Sequence, residues 1–300
     1  MRLSDSNGYH IYFLCWQPLF LLVVLFYCLI IGQQEVLTVT KKTKIRHRNG
    51  INKTFASMPL PARRTLFLIM AQIDTKHLIE EGRIFEVSAK SYSKLCGIDI
   101  DTAYEQLQKG AEQLHKQSLK IPQEELLKAF ARRPSDFFEK EKSWRGVRSL
   151  HITDSCSYVD NEAIVQVRFS RQVEPYICML EKDYTTQFLL SSIRLTDTNA
   201  SNLYQYLRKQ ISAGKKKYFE IDIDVLRIDL GIDKHETYQQ FKFLKSQFLD
   251  RSIKKIIEVT EFSKIEVTIT ERKGRKAHKV CISYEYEDDG LKPEMSVKKR

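Results

Sequence analysis

The sequence predicts an α+β fold made of two copies of one small unit, and three observations predict it. First, residues 85–120 fall on residues 219–254 when shifted by 134, with ten identities in 36 ungapped positions. Phe85 meets Phe219, Glu86 meets Glu220, and Gly97-Ile98-Asp99 meets Gly231-Ile232-Asp233. Tyr104, Gln106, Gln113, Ser118 and Lys120 meet Tyr238, Gln240, Gln247, Ser252 and Lys254. A repeat of this kind marks a duplicated supersecondary unit. Second, each copy reads strand, short helix, glycine stop, long helix. Third, each copy leads into apolar runs that suit a β-hairpin.

The elements follow in order. Residues 11–31 carry no charge and are long enough to cross a bilayer core of about 20 helical residues. Lys41, Lys42, Lys44, Arg46 and Arg48 follow, so an inserted segment would leave the rest of the chain in the cytoplasm. A cleaved signal peptide fits poorly, with a weak basic start and no small-residue site before Gln33. For this leader, 1–40, three readings stay open. It is a stretch added by a start set too early, with Val36 or Val39 as the alternative initiator position, or a membrane anchor, or a buried helix. A basic arm runs from Lys41 to Arg48. Met58 to Asp74 reads as a helix, with Pro61 in its first turn and Leu66, Ile69, Met70 and Ile73 at helical spacing. Ile84 to Val87 is a strand, Ala89 to Leu95 a short helix stopped at Gly97, and Ile100 to Ser118 a long helix. Pro122 to Arg145 is polar and irregular. Val147 to Tyr158 and Ala163 to Phe169 read as a hairpin.

The second half repeats the plan. Asn199 to Ile211 is a helix, Tyr218 to Ile223 a strand, Val225 to Leu230 a short helix, and Lys234 to Asp250 a long one. Lys264 to Ile269 and Val280 to Tyr286 are strands around the charged tip Glu271 to Lys276. The expected organisation is the leader, a first winged-helix domain at 41–181, a second at 182–290 and a basic tail at 291–300.

Composition bounds the function. The chain has 300 residues, 49 Lys and Arg against 38 Asp and Glu, and a net charge of +11. Charged residues at 29% and hydrophobic residues at 42% exclude wholesale disorder. The basic excess favours an acidic partner, nucleic acid or anionic lipid. The cysteines, at 15, 28, 96, 156, 178 and 281, have no zinc-ribbon spacing, and they read as core thiols in a reducing compartment. In a winged helix the helix after the turn enters the major groove and the wing touches the flanking backbone. Taken at 100° per residue, the second copy turns Tyr238, Phe241, Leu244 and Phe248 inward. Glu236, Gln239, Phe243, Ser246, Gln247 and Asp250 face outward, with His235 and Lys242 at the edge. Gln suits an adenine edge, and Phe243 suits a thymine methyl if it is exposed. The first copy presents Asp101, Thr102, Glu105, Lys109, Glu112 and Lys116, a more acidic face and a weaker reader. Between residues 182 and 280 twenty Lys and Arg oppose thirteen Asp and Glu. Lys215, Lys216 and Lys217 form one cluster, and Arg272, Lys273, Arg275 and Lys276 cap the hairpin, both expected to meet phosphates.

The chain resembles the replication initiator (Rep) proteins of iteron-bearing, theta-replicating plasmids. The resemblance rests on the helix from Leu60 to Ile73 (LPARRTLFLIMAQI), on Phe85-Glu86-Val87 leading to Tyr104-Glu105-Gln106-Leu107 and Ser118-Leu119-Lys120-Ile121, and on Tyr204-Gln205-Tyr206-Leu207 followed by Phe219-Glu220-Ile221 and the 234–256 helix. It covers about residues 50–287, and the apolar leader departs from it. The resemblance implies two tandem winged-helix domains that bind repeated origin DNA as monomers. It implies dimers, formed through the first domain at the hairpin from Val147 to Phe169, that repress the protein's own gene. It also implies origin opening and recruitment of a host initiator and the replicative helicase, with Arg63 and Arg64 near a backbone-contacting end.

Catalysis is not expected, nor a cofactor or metal. No two of the seven His are two or three apart, so the metal site of a rolling-circle initiator is missing, and no P-loop motif occurs. Asp222 and Asp224 could suggest a two-metal site, but strand alternation reads them as a solvated face. The alternative function is a membrane-anchored winged-helix transcriptional regulator that uses the leader as a true span.

Overall fold

Gly97 and Gly231 hold nearly the same left-handed backbone, with φ of +70° and +71°, and each ends an eight-residue helix. These turns organise the computed structural model, which describes residues 38–130 and 145–288. The apolar leader up to residue 37, most of the polar stretch 122–145 and the basic tail lie outside the described residues. Among the described residues no helix is long and apolar enough to cross a membrane.

In the first copy, β2 (Phe85–Ser88) leads into α3 (Ala89–Cys96), where the Ser88 hydroxyl accepts from the Ser91 N–H as N-cap. After Gly97, Asp99 caps α4 (Ile100–His115) by accepting from the Thr102 N–H at 2.8 Å. Before them come β1 (Lys44–Arg48), α1 (Asn52–Ser57) and α2 (Leu60–Met70), with Pro61 in the first turn of α2. The helix expected to run to Ser118 ends at His115. Beyond it, Leu119 and Ile121 are buried while Lys120 and Pro122 are exposed, a period of two that makes β3 (Ser118–Pro122). A short α5 (Gln123–Phe130) follows.

The run Val147 to Tyr158 is not one strand of a hairpin. It breaks at buried Ile152 into β4 (Val147–His151), which pairs with β3, and β5 (Thr153–Val159). The hairpin is β5 with β6 (Ile164–Phe169), completed by β2 in the order β2-β6-β5. The basic arm is likewise structured. β1 pairs antiparallel with β7 (Tyr184–Phe188), and Ile45, His47 and Arg48 are buried.

α6 (Glu174–Ile177) and α7 (Leu189–Arg194) complete the first unit. The first apolar core extends to Ile193, and the second begins at Leu195. The core boundary therefore falls after 181, because β7 and α7 return to the first domain.

The second unit starts with α8 (Thr198–Ser212), capped by Asp197. β8 (Tyr218–Asp222) and α9 (Ile223–Leu230) follow. Then come α10 (Phe241–Phe243), a π-helical stretch (Leu244–Leu249) and α11 (Asp250–Val259), which run on as one helix over 241–259. β9 (Phe262–Lys273) and β10 (Lys276–Tyr286) form the wing, in the sheet order β8-β10-β9. The fold is α+β with tandem winged-helix domains, as the sequence predicts.

Candidate nucleic-acid interface

The long helix of the second copy begins at Phe241, not Lys234. Residues Glu236–Gln239 form a 3-10 turn, so His235, Glu236 and Gln239 stand on a loop ahead of the helix rather than on its face. The glycines are offset by 134 residues, but the helix starts, Ile100 and Phe241, are offset by 141. The second copy thus carries seven extra residues between turn and helix. Seven residues turn an ideal helix to within about 20° of two full turns, so the apolar phase survives the insertion. Ala103, Leu107 and Ala111 of α4 correspond to buried Leu244, Phe248 and Ser252. This hid the insertion from an ungapped comparison. It also makes the matches of Ser118 with Ser252 and Lys120 with Lys254 structurally empty, because one pair member is in β3 and the other in α11.

On the helix proper, Lys242, Ser246, Asp250, Arg251 and Lys254 are exposed. Phe243 and Gln247 are half-buried, so Phe243 is not the fully exposed ring the sequence suggested. The Ser246 hydroxyl donates back to the Lys242 carbonyl, and Lys245 pairs with Asp250 at 2.9 Å, which neutralises the acidic group on this face. Arg251 and Lys254 were not among the expected contacts, because periodicity ended the helix at 250, although the family resemblance carried it to 256. The signal was there: Ser252 and Ile256 continue the buried stripe.

Helix and wing adjoin, with Lys245, Asp250 and Lys254 lining one groove with Glu266 and Thr268 of β9, and the wing stem is pinned to the end of β8. His278 lies 3.2 Å from the Asp222 carboxylate, and Lys279 pairs with Glu271 at 2.7 Å. The hydrogen bond from Lys279 holds the Glu271 carboxyl below its ordinary range and raises Lys279 in turn. Beyond the stem the chain reverses at Gly274, with φ of +62°. Arg272, Lys273, Arg275 and Lys276 at this tip are exposed and make no ion pair among the described residues. The strands reach further than expected, to Lys273 and Lys276, so the tip is a tight turn with four cations.

Lys215, Lys216 and Lys217 are exposed but elsewhere. The Tyr284 N–H donates to the Lys217 carbonyl at 2.9 Å, and the Tyr284 hydroxyl donates to the Lys215 carbonyl. Lys276 to Tyr284 spans about 26 Å of strand, so the cluster sits at the opposite end of the sheet from the tip. Lys216 and Lys217 line a cleft of about 1010 Å³ with Lys44, Arg46 and Arg208.

Arg63 and Arg64 depart furthest from expectation. They are 1% and 3% exposed, and they hold the domains together instead of facing a phosphate. Arg63 donates to Ser201 Oγ at 2.9 Å, Asn202 Oδ1 at 2.8 Å and the carbonyls of Ala56 and Met58. Burial lowers its guanidinium to about 10, still charged at neutral pH. Arg64 donates to Gln106 Oε1 and the Leu195 carbonyl. Ser191 of α7 and, further along α8, Tyr204 and Arg208 all donate to the buried Glu261 carboxylate, whose pKa burial raises. In the first copy, Lys109 is exposed on α4, and Lys116 borders a separate polar cleft of about 730 Å³ with Lys53, Lys120 and Lys209.

Asp222 and Asp224 are not a strand-face pair either. Asp222 caps α9 by accepting from the Asp224 N–H, and Asp224 pairs with Arg227. The described cysteines form no disulfide. Cys96 and Cys178 are buried, and Cys156 and Cys281 are half-buried.

A duplicated helix-turn-helix, each copy carrying a hairpin, defines a tandem winged-helix protein. Residues 44–208 match the family described as Initiator Replication protein, WH1, and residues 222–284 match Initiator Rep protein, WH2. The chain belongs to this family of replication initiators. It is 34% identical over 265 residues to the PI protein of Escherichia coli, covering 85% of this chain and 86% of that one. It also resembles the Pi initiator protein crystallised in complex with iteron DNA, with a TM-score of 0.72 and 33% identity. That match covers 83% of this chain and 99% of the other.

Proposed function

We propose that the protein initiates plasmid replication by binding directly repeated origin DNA, the iterons, with both winged-helix domains. The observation that carries this is the groove that the 241–259 helix shares with the wing strand β9, lined by Lys245, Asp250 and Lys254 together with Glu266 and Thr268. A polar helix face, with its acidic Asp250 neutralised by Lys245, adjoins a hairpin whose four tip cations make no ion pair among the described residues. Base edges are read by such a helix, and phosphates by such a tip. The likeness over 99% of a chain crystallised with iteron DNA supports the same use here.

The protein opens the origin without catalysing a reaction, and it acts in the cytoplasm. It recruits the host initiator and the replicative helicase to the opened origin. As a dimer it represses its own gene. The dimer contact is the first-domain hairpin, where β5 is an outer strand of the sheet β2-β6-β5 and can pair with a second copy.

A nuclease footprint of the purified protein on its parent plasmid tests the proposal. Protection of several direct repeats, each over about two turns of duplex, is expected. Protection confined to one turn would exclude reading by both domains.

A further inference from the structure

Arg227 belongs to the short helix α9, ahead of the turn, and is 7% exposed. All three of its nitrogens are engaged within the protein. Nε donates to the Tyr238 carbonyl at 2.9 Å, Nη2 donates to the Gln239 carbonyl at 2.7 Å, and Nη1 pairs with Asp224. Both carbonyls belong to the stretch that the second copy has gained. The same stretch is tied twice more. Gln239 Nε2 donates to the Asp233 carbonyl at 2.6 Å. Tyr238 is held between His235, stacked at 4.4 Å, and buried Phe248, edge-on at 5.5 Å. In the first copy the residue at the place of Arg227 is Ser93, whose hydroxyl donates to the Ile98 carbonyl across a turn with no insertion. A long forked donor therefore stands where the insertion needs spanning, and a short hydroxyl where it does not.

We propose that Arg227 is a positioning residue for DNA recognition, and that the segment 233–240 it pins is a specificity-determining part of the reading surface. The segment immediately precedes the 241–259 helix, and the N-terminal end of a reading helix is the end that contacts base edges. Seven of its eight residues are exposed, Tyr238 alone being turned in. A loop left unpinned would have to be ordered on binding, at a cost to affinity for the correct sequence. Pinned by a fixed guanidinium fork, it arrives preformed. Three of its five N–H groups are engaged within the protein and the residue is 7% exposed, so Arg227 is turned into the fold rather than towards a phosphate. Its effect is on discrimination and not on general attraction.

This inference rests on the DNA-reading function proposed above. The test is fluorescence-anisotropy titration of the full chain against a duplex carrying one origin repeat and against a scrambled duplex, at several salt concentrations. Arg227→Met is expected to lower the ratio of the two affinities about tenfold or more, with scrambled-duplex affinity and salt slope unchanged. Arg227→Lys, which cannot span both carbonyls, is expected to restore little. Asp224→Asn leaves the core untouched and takes the charge from one anchor of the fork, so a smaller loss of ratio is expected even if Arg227→Met fails to fold. Hydrogen exchange provides a readout without DNA: amides of 234–240 should exchange faster in Asp224→Asn while those of β8, β9 and β10 do not. An unchanged ratio in both variants overturns the proposal. So does a fall in scrambled-duplex affinity and salt slope, which would make Arg227 a phosphate contact. A wild-type chain that prefers no origin duplex overturns the function itself, and this inference with it.

Discussion

His47 has no exposed surface in β1, and its ring meets Phe55 edge-on at 4.7 Å. Burial lowers its pKa to about 4, against 6.5 for a free imidazole. The folded protein thus refuses a proton that the unfolded chain accepts. The stability contributed by neutral His47 is complete above pH 6.5 and is lost as pH falls through 6.5 towards 4, by up to about 3 kcal/mol. Urea unfolding at pH 7, 6 and 5 should show this decline, and His47→Gln should flatten it. Gln247 is a second single-residue case. It is half-buried and lies on the helix itself, not on the loop ahead of it. Gln247→Ala should weaken binding to an origin repeat by about 1–3 kcal/mol, the range of one bidentate base contact, and leave binding to scrambled duplex unchanged. Equal loss on both duplexes would remove Gln247 from the list of readers.

At the scale of elements, α2 and α4 cross so closely that Gly110 has no room for a side chain. A Cβ there would lie 2.5 Å from Thr65 Oγ1 and 3.0 Å from the Pro61 carbonyl oxygen. Alanine favours a helix interior over glycine by about 1 kcal/mol, but overpacking costs about 1–3 kcal/mol. Since one clashing atom is backbone, the cost should win, and Gly110→Ala should lower the denaturant midpoint with an unchanged slope. Other elements divide by how local their signals are. The short helices and their glycine stops were legible, because the cap residues Ser88 and Asp222 and the left-handed Gly97 and Gly231 are fixed by nearby backbone. The start of the reading helix was not legible. A helical wheel continues through an insertion of seven residues almost unrotated, so His235, Glu236 and Gln239 were assigned to a face that is in fact a loop. The burial of Arg63 and Arg64 was also beyond reach. Two arginines near the start of a helix read as surface charge, and only tertiary packing against α8 brings Ser201, Asn202 and the Leu195 carbonyl to them.

At the scale of the molecule, the positive charge that reads in sequence as one basic second domain separates into distinct surfaces. Four cations crowd the wing tip, while Lys216 and Lys217 face a cleft shared with Lys44 and Arg46 of β1 at the far end of the same sheet. A strand length of about 26 Å between them is several times the screening length of about 8 Å at physiological salt. The two groups therefore act on a ligand independently. On a duplex limited to one origin repeat, the tip is the group expected to meet phosphates, because its strand β9 lines a groove with the reading helix. Each phosphate contact steepens the dependence of log K on log salt by about 0.9. The double change Lys273→Ala with Arg275→Ala should thus flatten that slope by up to about 1.8 and weaken binding to every sequence alike. Lys216→Ala with Lys217→Ala should leave slope and affinity on the short duplex as they are in the wild type. An equal flattening by both pairs would mean that the duplex reaches the far end of the sheet, and that helix, wing and cleft form one continuous track for DNA.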